Sequence, residues 1–70
     1  MVNNAQAYGV VKVYYPLKGF GFITREKGKD LFFFRSSVAD EAALIEGATV
    51  RFQIEHGEKG PSAVSVKREG

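Results

Sequence analysis

The chain contains no cysteine and no tryptophan, and only one histidine. Without cysteine there is neither a disulfide framework nor a thiolate metal site. The single histidine, His56, has no sequence-level partner for a nucleophile–base pair or a metal centre. It is read as a polar loop residue. No stretch approaches the roughly 20 apolar residues needed to span a bilayer. Met1–Gln6 has neither the basic start nor the apolar run of a signal peptide. Residues 1–6 read as a flexible polar leader ahead of a single domain over residues 7–68. The glycines around Phe20 are not followed by Gly-Lys-Ser/Thr, so no phosphate-binding loop forms there. Asp40 and Glu41 lie in a charged segment, where solvation explains them better than paired acid–base work. These absences point away from an enzyme, a cofactor, a small-molecule substrate and a membrane partner, and they fit a reducing cytoplasm. Charge of one sign is also scarce. A net +2 and a pI near 9.1 lean toward a polyanionic partner through only a small field.

Aromatic residues are what the chain has in quantity. They make up 13% of its 70 residues, and six are phenylalanine. A domain this small buries only roughly 60% of the surface its unfolded chain exposes, so its core is thin. The stretch Lys18-Gly19-Phe20-Gly21-Phe22-Ile23 alternates as a strand, with Phe20 and Phe22 on one face and Gly21 and Ile23 on the other. The run Asp30-Leu31-Phe32-Phe33-Phe34-Arg35 places Phe32 and Phe34 together, opposite Leu31 and Phe33. A turn near Gly28 would bring both phenylalanine pairs onto one surface, which is either a core or an exposed platform.

Five strands are predicted: Ala7–Tyr15, Phe20–Glu26, Leu31–Arg35, Thr49–Glu55 and Ala63–Lys67. The first breaks its alternation near Val10-Val11, which suggests a bulge or bend. Pro16 ends that strand. Residues 26–29 form a polar turn, in which Lys27 and Lys29 serve solubility. Residues 36–47 read as a long crossover with about one helical turn at Asp40–Ile45, capped by Ser36 or Ser37 and closed by Gly47. His56–Pro61 reads as a loop. Three strands, a crossover and two more strands suit a five-stranded antiparallel oligonucleotide-binding Greek-key barrel. A small SH3-like barrel has the same strand count. Val11, Ile23, Leu31, Phe33, Val38, Leu44, Val50, Phe52, Ile54, Val64 and Val66 suffice for the core. Phe20, Phe22, Phe32 and Phe34 are then surplus. Leaving them exposed forgoes roughly 1.5–3 kcal/mol each, and exposed apolar patches mark interaction surfaces. Lys12, Lys18, Arg25, Lys27 and Lys29 flank them. Rings mixed with cations suit single-stranded nucleic acid.

Residues Ala7 to Lys67 resemble the bacterial cold-shock proteins. Lys18–Ile23 is similar to the first ribonucleoprotein motif, with Ile23 in place of valine. Gly9-Val10-Val11-Lys12, Asp30–Phe34 and Gly60-Pro61 before Ala63-Val64 extend the likeness. The resemblance implies an oligonucleotide-binding barrel that stacks bases of single-stranded RNA or DNA on Tyr14, Phe20, Phe22, Phe32 and Phe34. Lys12, Lys18, Asp30 and Lys59 match its polar contact positions. It further implies a monomeric, ATP-independent RNA chaperone or regulator of transcription or translation, with loose base preference leaning to pyrimidines. Several positions depart from the pattern. Val13 stands where the family has tryptophan and Tyr15 where asparagine is common. Phe33-Phe34-Arg35-Ser36 replaces Val-His-Phe-Ser, and the crossover is shorter. Phe34 adds stacking area, and the Arg35 guanidinium offers a plane on which a base can stack. Other classes compatible with an aromatic patch are a module that docks a peptide and a subunit of a larger complex.

Overall fold

The structure, a computed structural model, describes residues 6–58 and 60–69. Most of the leader and the predicted contact residue Lys59 lie outside the described residues. Five strands form: β1 (Ala7–Tyr15), β2 (Phe20–Arg25), β3 (Leu31–Phe34), β4 (Thr49–Gly57) and β5 (Gly60–Arg68). They close into a barrel in the order β1-β2-β3-β5-β4. The β3/β5 seam that completes the closure carries a single register pair.

The expected antiparallel arrangement holds at every seam except β3/β5, which is parallel through Phe32↔Ser62. Chain direction requires this exception. Each hairpin reverses the chain, so β3 runs with β1. Because β4 pairs antiparallel with β1 and β5 reverses again, β5 also runs with β1 and meets β3 head to head.

Val11, Ile23, Leu31, Phe33, Val50, Phe52 and Val66 fill the core as the alternation predicts, with Val38, Leu44 and Ile54 packed against it. Val64 is not part of that core. Ala63 takes the place, because β5 carries one extra residue opposite Phe52: Gln53 pairs with Val64, but Arg51 pairs with Lys67. Ser65 absorbs the irregularity at a φ of 53°, and the alternation changes sign across it. The β4–β5 turn is also tighter than predicted. His56 and Gly57 belong to the ladder and pair with Pro61 and Gly60.

The crossover holds two 3₁₀ turns, Arg35–Ser37 and Glu41–Ala43. Neither Ser36 nor Ser37 acts as the cap. Both lie inside the first turn, which makes no side-chain cap bond. Asp40 caps the second turn, its carboxylate accepting the Ala42 N–H at 3.0 Å. The buried Ala43 then fastens the crossover to the core.

Candidate functional site

The site begins with one inserted residue. β1 and β2 pair Val11 with Ile23 and then Val13 with Phe22, leaving Lys12 without a partner in the register. Facing residues in a ladder point the same way, so the insertion reverses which β1 side chains look outward. Val13 and Tyr15 now share the face of Phe22 and Phe20, while Tyr14 stands opposite Gly21. Across β3 the rows continue as Phe22↔Phe32 and Phe20↔Phe34 outward, and Gly21↔Phe33 inward.

Gly21 makes the inward row possible. A Cβ there would sit 2.8 Å from Phe33 Cζ and collide with the Val13 carbonyl oxygen. With hydrogen in its place, the Tyr14 and Phe33 rings stack across the glycine at 6.1 Å and 13°. Tyr14 thus lies on the inward row, partly buried. Its ring packs against the core and is absent from the outer platform. Tyr15 occupies the outer position, and sequence reading did not select it. The broken alternation in β1 was the only available signal, and it does not say which residue is extra.

Phe20, Phe22 and Phe32 are half-buried and Phe34 is 54% exposed, so none of the four joins the core. Together with Tyr15 they form one continuous strip. Tyr15 meets Phe20 at 5.3 Å, Phe20 meets Phe32 at 5.3 Å, and Phe32 meets Phe34 at 4.6 Å. Phe22 adjoins Phe20 and Phe32 at 6.1 and 5.7 Å. The interplanar angles run from 50° to 89°, so no two of these rings lie face to face. The inner Tyr14–Phe33 pair uses its π faces on itself. The outer rings are tilted or perpendicular to one another, so none is covered by a parallel neighbour.

Charged groups surround the strip. The Lys18 ammonium stands 5.6 Å from the Tyr15 ring centre. Lys12 and Asp30 form an ion pair at 3.0 Å. They border a concavity of about 430 Å³ floored by Val13 between Tyr15 and Phe22. Arg35 follows Phe34 and pairs with Glu41 at 2.9 Å, while its backbone N–H donates to the Gly19 carbonyl. Both ion pairs are exposed and worth little to stability, roughly 0–1 kcal/mol, so their cations can exchange partners cheaply. A second groove of about 550 Å³ runs from Phe22, Phe32 and Phe34 to Pro61 on β5. The structure thus brings Lys12, Lys18, Phe20, Phe22, Asp30, Phe32, Phe34 and Arg35 to one side and its rim. Among the described residues, no three His, Asp or Glu side chains converge to hold a metal. A surface of partly exposed rings rimmed by exposed cations is suited to holding planar, negatively charged ligands.

Comparison with known proteins agrees with this geometry. The family described as the 'Cold-shock' DNA-binding domain matches residues 7–69. A cold shock-like protein of Thermotoga maritima is 44% identical over 61 residues, covering 84% of this chain and 92% of that protein. The major cold shock protein of Streptococcus pyogenes serotype M18 is 41% identical over 64 residues, covering 89% and 96%. The cold shock-like protein CspJ of Salmonella typhimurium is 48% identical over 61 residues, covering 83% and 87%.

Proposed function

The chain belongs to the cold-shock domain family, and from that premise we propose that it binds single-stranded RNA and DNA with little sequence preference. Bases stack on Phe20, Phe22, Phe32 and Phe34, and the cations at Lys12, Lys18, Arg35 and Lys59 meet phosphates. The observation that carries this reading is the strip of outer rings kept out of a core that is complete without them. Stacking is worth ~1–3 kcal/mol per base and accepts any base, since every base has a π face. Three or four such contacts, less the cost of association, give micromolar to nanomolar affinity.

A protein of this kind acts by mass action. It traps the open form of a structured RNA and needs no ATP. The proposed role is therefore an RNA chaperone, or a regulator of transcription or translation that acts through RNA or DNA structure. It works as a monomer in the cytoplasm, with no catalytic step and no cofactor. Among the described residues, no helix is long and apolar enough to cross a membrane.

The test is a titration of a labelled single-stranded heptamer followed by fluorescence anisotropy. The native chain should saturate the signal. Phe32→Ala, which removes the ring touching Phe20, Phe22 and Phe34, should weaken binding by at least ~1 kcal/mol while circular dichroism stays native. A folded Phe32→Ala with unchanged affinity would refute the stacking role.

A further inference from the structure

We propose that Tyr15 is itself a base-stacking platform and carries the nucleic-acid track one nucleotide further, to the β1–β2 turn. This rests on the reading that the aromatic face holds single-stranded nucleic acid. Tyr14 and Tyr15 are neighbours of the same type, and the Lys12 insertion alone decides which one faces outward. The consequences for the two rings are opposite. Tyr14 spends its face on Phe33. Tyr15 meets Phe20 at a 58° tilt and remains 41% exposed.

That exposure is held by a rigid backbone. The Tyr15 carbonyl accepts the N–H of both Lys18, at 3.1 Å, and Gly19, at 2.8 Å. Gly19 takes a φ of 76° to close the turn, a conformation that suits glycine. With its backbone held at the turn and its ring leaning on Phe20, Tyr15 needs less further ordering when a base lands on it. The surroundings also suit a nucleotide. The preceding outward residue on β1, Val13, is small, so the concavity it floors gives a base on Tyr15 room beside Phe22. The Lys18 ammonium over the ring is exposed, and a base can displace it toward its own phosphate.

The chain's own fluorescence provides the test. It has three tyrosines and no tryptophan. Tyr8 pairs with Arg51 of β4, away from the strip, and Tyr14 faces inward. Stacking on Tyr15 should therefore dominate any quenching of tyrosine emission when oligothymidylate binds. Tyr15→Phe keeps the ring, so it should bind within two-fold of the native chain and lose that quenching. Tyr15→Ser should bind a heptamer about 5-fold or more weakly, and its affinity should stop rising one nucleotide earlier across a length series. If Tyr15→Ser binds like the native chain while Phe32→Ala is weakened, or if quenching persists in Tyr15→Phe, the Tyr15 platform is refuted and the general reading stands. If the native chain binds no oligonucleotide, the general reading itself fails. Should Tyr15→Ser not fold, the quenching comparison with Tyr15→Phe decides alone.

Discussion

Replacing Gly21 by alanine tests the partition between the inner and outer faces. Gly21 does not have a positive φ, so alanine can take its backbone conformation, and the outcome depends on space alone. The added methyl would lie 2.8 and 2.9 Å from Phe33 Cζ and Cε1 and would also strike the Val13 carbonyl. Neither neighbour can yield easily. Phe33 is fully buried, and the Val13 carbonyl belongs to the β1 backbone beside the inserted Lys12. Overpacking of this kind costs ~1–3 kcal/mol. Pushing Phe33 also disturbs its stack with Tyr14, worth a further ~0.5–1.5 kcal/mol. The lower chain entropy of unfolded alanine offsets ~0.4–1 kcal/mol. The expected net loss is ~2 kcal/mol, out of a total stability of roughly 3.5–10 kcal/mol for a domain this size. Thermal unfolding followed by circular dichroism should show a Tm lower by roughly 8–16 °C. Gly57→Ala is the matched control. Its methyl would find its nearest neighbour at 3.9 Å, so stability should hold or rise by up to ~1 kcal/mol. Equal stability of the two variants would refute the claim that Gly21 is the gap through which Tyr14 meets Phe33.

Adjacent residues on β3 should behave oppositely. Phe33→Ala should lose ~3–5 kcal/mol in urea unfolding, whereas Phe34→Ala should change stability by less than ~1 kcal/mol yet bind a heptamer about 5-fold more weakly. Lys12→Gln should leave stability within ~1 kcal/mol and make the slope of log affinity against log salt shallower by about 0.7. Asp40→Ala should lower stability by ~0.5–2 kcal/mol through the lost cap, without changing oligonucleotide affinity.

The platform on β2 and β3 was readable from the sequence because Phe20, Phe22, Phe32 and Phe34 lie on regular strands, where parity is preserved. The platform on β1 was not. Parity there turns on one inserted residue, and no local residue type marks Lys12 as the extra one. The same cause misplaced Val64, because the irregularity at Ser65 carries no glycine or proline to announce it. The core was legible in its large members and illegible in Ala43, Ala48 and Ala63, since alanine is equally at home inside and outside. The choice of Asp40 over the serines as the cap depended on where the chain first turns after β3. The first turn spans Arg35–Ser37, so both serines fall inside it and Asp40 is left to cap the second.

The barrel's parallel seam has a dynamic consequence. β3 and β5 meet at Phe32↔Ser62, and the next rung in that direction is Val38↔Val66. Every other junction carries a longer ladder, so the cylinder should unzip first along this line, at an energy below that of global unfolding. Phe32 stands on that line. A strand of nucleotides laid over it would splint the weakest joint of the wall, so occupancy and rigidity should rise together, with amides near Ser62 exchanging more slowly in the bound protein than in the free one.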